Sequence, residues 1–178
     1  GIKKNVFYKD DSGAIVFDLP QDEFGLDKDG NPKKTTVIRS DGTSVYITQD
    51  LGAALLKVKE HRLDRSIYVV GSEQHYYFKT LFKILESLDY SWAKGLYHLS
   101  YDMVYLPEGK MKSREGKVVD ADDLIVEMTN LAAIEIKKRD PDGKLSEQQI
   151  QQRAAKIGVG AIKFYLLRVN PQQDIHFD

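Results

Sequence analysis

Ser66-Ile-Tyr-Val-Val70, closed by Gly71, is a short apolar run of the kind that forms a buried strand. Behind it, Tyr77, Phe78, Leu81, Phe82, Leu85 and Leu88 make one apolar face at helical spacing. Gly95 to Leu106 is again β-like. Strand, crossover helix and strand within about 40 residues is the βαβ pattern of a parallel sheet, which sets the fold class as α/β.

Upstream of that unit, Phe7 to Ile47 reads as extended pieces joined by tight turns. Ala14–Leu19 and Thr35–Arg39 are β-rich runs flanking the polar stretch Asp22–Pro32, with its Asp29-Gly30 and Asn31-Pro32 turn signals. Asp41-Gly42 is expected to turn the chain into Ser44–Thr48 as a hairpin partner. A helix should then begin near Thr48 to Asp50, with Thr48 as its N-cap and Leu51, Ala54, Leu55 and Val58 on one face.

Downstream comes Leu106-Pro-Glu-Gly-Lys-Met-Lys-Ser-Arg-Glu-Gly-Lys-Val-Val119. Gly109 and Gly116 bracket Lys110, Lys112, Arg114 and the hydroxyl of Ser113. Glycine allows the close backbone approach that a phosphate-contacting loop needs, and the cations can meet a polyphosphate. A solvated surface loop is the plainer alternative. After it the chain turns helical. Asp120 and Asp123 have N-cap and N3 spacing, and Leu124, Met128, Leu131 and Glu135 trace one side of a helix. Arg139–Gly143 breaks that helix, and Ser146 with Gln149 resembles a capping box. Ile150, Ala154, Ile157, Ala161 and Phe164 then form a stripe in which Gly158 and Gly160 imply close packing, and Pro171 ends the element.

At 178 residues the chain suits one domain or a large piece of one. An apolar share of 42% can bury a sizeable core, and a net charge of −1 argues against wholesale polyanion binding. With no cysteine there are no disulfides or thiolate metal sites, and no apolar run approaches the ~20 residues that span a bilayer.

Three clusters of candidate residues emerge. Tyr46 and Asp50 stand where a strand enters a helix, Gln74 stands just beyond a strand end, and His98 to Val104 run toward the basic loop. In open parallel sheets, ligands bind outside the carboxyl ends of the strands. Each has a structural alternative. Asp50 would favour a helix's positive end, Tyr46 is a usual strand aromatic, Gln74 a common first-turn residue, and His98 a satisfied structural histidine.

The stretch Ser40–Asp50 resembles the D-G-T-x-x-Y-x-T-x-D signature of arginyl-tRNA synthetases. Ile67–Gln74 and His98–Val104 resemble further segments of that family, and Gly109–Gly116 is similar to its K-M-S-K-S loop. Gly158–Leu167 and Asp174–Asp178 look like its helical continuation, so the resemblance runs in order from about residue 35 to 178. It implies a class I Rossmann-type parallel-sheet domain that activates L-arginine with ATP and Mg2+ and passes it to tRNA in the cytoplasm. Residues 1–47 would be a β-rich insertion, 48–119 a Rossmann half ending in the basic loop, and 120–178 helices leading toward an anticodon-binding domain.

By position, Tyr46 and Asp50 match the residues that hold the arginine guanidinium, and Gln74 matches the residue near its amino group. A carboxylate suits a guanidinium because it accepts a bidentate hydrogen bond. His98, Met103 and Val104 match the surroundings of ATP's adenine. Lys110, Lys112, Ser113 and Arg114 match the loop that stabilises the leaving pyrophosphate, while no residue is assigned to a metal. The loop reads K-M-K-S-R, which makes Lys112 and Arg114 the candidate catalytic cations, and Asp102 stands where the family often has glycine. No H-I-G-H-like motif surrounds His61, His75, His98 or His176, so the chain is expected to be the second part of a catalytic domain, inactive alone. Two other readings stay open: a different class I synthetase or adenylate-forming nucleotidyltransferase, and a non-catalytic module on the same sheet.

Overall fold

The extended pieces near the N-terminus pair into an antiparallel sheet in the order β1 (Tyr8–Lys9), β2 (Ile15–Asp18), β3 (Lys34–Ile38). The computed structural model that shows this describes every residue except 107, 108, 111–118 and 178. It divides into two units, Gly1–Ser100 and Tyr101–Asp178.

In the first unit, the polar stretch between β2 and β3 holds a short helix, α1 (Gln21–Phe24), whose Phe24 is buried. The expected strand Ser44–Thr48 does not form. Ser44 makes a single antiparallel bridge to Ile38, and helix α2 (Tyr46–His61) starts two residues later. Its N-cap is Val45, and Thr48 sits at the third helical position, where its hydroxyl donates to the Val37 carbonyl of β3. That bond lies between segments far apart in sequence, so local propensity gave no sign of it.

Strand β4 (Ser66–Gly71), helix α3 (His75–Ser87) and strand β5 (Leu96–Tyr101) form where expected, with β4 and β5 hydrogen-bonded neighbours, but β4 is not the buried strand its apolar run suggests: Ile67 and Val69 are exposed on one face. Helix α3 turns Phe78, Leu81, Ile84 and Leu85 into a core shared with Phe17, Leu19, Val37, Ile47, Leu51 and Ala54. That burial of large apolar side chains fixes α2 and α3 beside the sheet residues.

The β-like run Gly95–Leu106 is two strands, because Asp102 and Met103 interrupt it. In the second unit, β6 (Val104–Leu106) pairs antiparallel with β7 (Gly109–Lys110) and parallel with β8 (Ile175–His176). Asp120 caps α4 (Ala121–Arg139) by accepting from the backbone amides of Asp122 and Asp123. The capping box at Ser146 and Gln149 opens α5 (Glu147–Leu167). α4 and α5 meet through Ala132, Ala133, Ile150 and Ala154.

Three expectations for these helices change. Leu131 is exposed, as are Ile157 and Phe164, which lie off the buried line Ile150–Ala154–Gly158. A Cβ on Gly158 would stand 2.8 Å from the Thr129 amide nitrogen, so glycine is what lets α5 approach α4 there. Gly160 faces open space instead.

Candidate active site

Tyr46 and Asp50 both lie on α2, not on a strand, at positions i and i+4 that share a helix face. Tyr46 is 81% exposed in the first turn. Asp50 is half-buried, and its Oδ2 accepts a hydrogen bond from the Tyr77 hydroxyl of α3. Burial, and then the neighbouring Asp50 carboxylate, push the Tyr77 hydroxyl far above the ordinary tyrosine range. Tyr77 is therefore a fixed donor, and it holds one carboxylate oxygen of Asp50 while Oδ1 has no hydrogen-bond partner among the described residues. An ionised carboxylate has about four acceptor positions on its two oxygens, so one held through Oδ2 can still accept a cationic fork.

Gln74 is exposed and serves as the N-cap residue of α3, one turn ahead of Tyr77. The bond between Tyr77 and Asp50 thus ties the start of α3 to the first turns of α2. Tyr77 went unassigned in the sequence, where it reads as part of the apolar helix face. The available signal was its place one turn beyond Gln74.

His98 sits on β5 with its Nε2 2.9 Å from the Val70 carbonyl of β4. A carbonyl only accepts, so Nε2 carries the proton and Nδ1 is left as an acceptor, buried and without a hydrogen-bond partner among the described residues. The ring lies 4.6 Å from that of Phe78 and 5.9 Å from that of His75. One ring nitrogen is thus engaged within the sheet, as in a structural histidine, and the other is not.

Met103 and Val104 belong to the second unit. The Met103 amide donates to Asp174 Oδ1 and its carbonyl accepts from the Ile175 amide at 2.9 Å. Both backbone groups of Met103 are thus engaged by the segment around β8, whereas Val104 lines an apolar cavity of about 560 Å3 with Leu124, Met128, Phe164 and Phe177. Lys110 enters through its backbone, as the end of β7. Lys112, Ser113 and Arg114 lie outside the described residues. Among the described residues no group of three or more His, Cys, Asp or Glu could hold a metal ion.

The family described as tRNA synthetases class I (R), catalytic domain, matches residues 1–178. An arginine–tRNA ligase of Flavobacterium psychrophilum is 48% identical over 182 residues, covering all of this chain and 28% of the relative. One from Treponema denticola is 45% identical over 178 residues, with the same two coverages. The chain therefore spans 28% of the length of these relatives. Among solved structures, arginyl-tRNA synthetase of Thermus thermophilus superposes with a TM-score of 0.76 at 19% identity, over 99% of this chain and 34% of that one. The enzyme of Plasmodium falciparum gives 0.71 at 18% identity, over 99% and 28%. At such identities the structural likeness speaks for the fold.

Proposed function

We propose, since this chain belongs to the family of class I tRNA synthetase (R) catalytic domains, that it is part of an arginine–tRNA ligase. The observation that carries the arginine specificity is Asp50, held by Tyr77 with Oδ1 spare and with Tyr46 one turn before it. In this reading the guanidinium of L-arginine binds Asp50 Oδ1 beside Tyr46, and Gln74 stands near the substrate's amino group. The charge-assisted bond selects arginine over lysine because only the planar guanidinium offers a fork of donors.

In the first step the arginine carboxylate attacks the α-phosphorus of ATP, and pyrophosphate leaves. Lys110, Lys112, Ser113 and Arg114 are proposed to stabilise that leaving charge, and His98, Met103 and Val104 to surround the adenine. In the second, a hydroxyl of the terminal tRNA ribose attacks the adenylate's carbonyl carbon and AMP leaves. Mg2+ is expected with ATP in this family. The finer architecture follows the same reading: residues 1–47 as an insertion, 48–119 as a Rossmann-type half, and 120–178 as helices leading toward an anticodon-binding domain. We place the enzyme in the cytoplasm; no helix among the described residues is long and apolar enough to cross a membrane.

Pyrophosphate exchange into ATP tests the reading. The full-length enzyme should exchange with arginine and with no other amino acid. The 178-residue chain should not sustain exchange, because holding both reactants in register supplies several kcal/mol of the barrier and needs the rest of the site. Exchange driven by another amino acid would remove the arginine assignment. Near-full exchange by this chain alone would show that its own residues suffice.

A further inference from the structure

We propose that β8 is a brace that positions Lys110, and that Asp174, just before β8, and Tyr165, on α5, are the positioning residues that set it. This rests on the tRNA-ligase reading above and on the place of Lys110 in it. In the three-stranded sheet, Tyr105 of β6 is paired in register with Lys110 of β7 on one side and with His176 of β8 on the other. Lys110 therefore takes its place from Tyr105, and Tyr105 is held from its far side by β8.

β7 has two residues and, among the described residues, no strand neighbour but β6. A hairpin of two strands is marginally stable in water, and a third strand helps to fix it. β8 supplies that strand through its backbone. The Ile175 amide donates to the Met103 carbonyl at 2.9 Å, and the Phe177 amide to the Tyr105 carbonyl at 2.7 Å. The Tyr105 and His176 rings stack, with centroids 5.6 Å apart and planes 23° from parallel.

β8 has only two residues itself, so it too must be held in line. Ahead of it, Asp174 Oδ1 accepts from the Met103 amide at 3.2 Å, and the Asp102 amide donates to the Pro171 carbonyl at 2.8 Å. From the last turn of α5, the Tyr165 hydroxyl donates to the His176 carbonyl at 2.7 Å. α5 is thus bonded to the residue that stands beside Tyr105 in the sheet. A cation that must meet charge developing on a phosphate depends on its backbone for register. A displacement of about 1 Å can cost about 100-fold in rate.

The test is the single-turnover rate constant of pyrophosphate release from ATP, measured on the full-length enzyme with arginine and tRNA. Lys110→Ala should slow it. Asp174→Ala should slow it by about 2- to 10-fold, the equivalent of one hydrogen bond, with the arginine KM unchanged. Asp174→Asn, which keeps the acceptor oxygen, should restore it. In the Lys110→Ala background, Asp174→Ala should cost nothing more, because the brace acts through Lys110. A lower amplitude at an unchanged rate constant would mean that Asp174 only helps the chain to fold, and it overturns the proposal. So does an equal loss with and without Lys110, or a failure of Asp174→Asn to restore the rate constant. If Asp174→Ala does not fold, Tyr165→Phe decides: the same slowing supports the brace, and the wild-type rate constant overturns it. The two levels separate in the same assay. A wild-type enzyme that releases no pyrophosphate with arginine defeats the ligase reading, and Lys110→Ala at the wild-type rate constant defeats the place of Lys110; either takes the brace with it. Slowing at Lys110 without slowing at Asp174 or Tyr165 defeats the brace alone.

Discussion

In the first unit the side chains wholly removed from water are large, Leu19, Leu81, Ile84 and Leu85, and aromatic rings pack around them. In the second the buried residues where α4 meets α5 are mostly small, Ala132, Ala133, Ala154 and Gly158 beside Ile150, while Leu131, Ile134, Phe164 and Leu167 remain exposed. One unit is held by apolar area, and the other by the close approach of two helix backbones. The first should tolerate losing volume badly, and the second should tolerate gaining it badly.

The largest expected effect follows from that contrast. Leu85→Ala should cost about 2–5 kcal/mol in urea unfolding, since Leu85 has no exposed surface and its removal leaves a cavity. Leu131→Ala, at an exposed site, should stay within about 0.5 kcal/mol. Comparable losses at both would erase the distinction between the units.

A pair of glycines sharpens it. Gly158→Ala puts a Cβ 2.9 Å from the Met128 carbonyl carbon, so backbone must move, and a loss of about 1–3 kcal/mol is expected in thermal unfolding. Gly160→Ala meets nothing within 4 Å and should instead gain about 1 kcal/mol from helix propensity. The same sign at both positions would contradict the close approach.

Titration probes the first unit from another side. Tyr77 has its folded pKa raised, so any stability its hydroxyl proton contributes is fully present below the unfolded tyrosine value of about 10 and is lost only as pH rises through the higher folded value. Wild type and Tyr77→Phe should therefore show equal phenolate absorbance through the ordinary tyrosine step. A smaller rise in the variant would mean that Tyr77 ionises normally and does not hold Asp50. Smallest of all, Lys137→Ala removes the exposed ion pair to Glu147 at 2.9 Å, which joins α4 to α5, and should leave the unfolding midpoint essentially unchanged.

Much of the fold is legible in the sequence in both units where the signals are local. The apolar run at Ser66, the helical face from Tyr77 to Leu85 and the caps at Asp120 and Ser146 each lie within a turn or a strand of one another. What escaped depends on partners distant in sequence. The helical start at Tyr46 is tied to β3 through Thr48 and Val37, and Asp50 gains its held orientation from Tyr77. The pairing of β6 with the two-residue strand β8 rests on backbone bonds that leave no periodic pattern. Candidate residues on α2 were identified as residues but not as members of a helix face, since the hairpin expected at Ser44 placed Tyr46 on a strand.

The central proposal is that the Asp50 carboxylate binds the guanidinium of arginine. Asp50→Asn keeps an oxygen that can accept from Tyr77 while removing the charge, so its effect isolates the guanidinium. In the full-length enzyme, arginine and ATP dependence should be measured by pyrophosphate exchange. The account predicts that Asp50→Asn weakens arginine by about 2–4 kcal/mol and leaves ATP nearly unaffected. An unchanged arginine KM and turnover would contradict it and leave Asp50 as a residue that only joins α2 to α3.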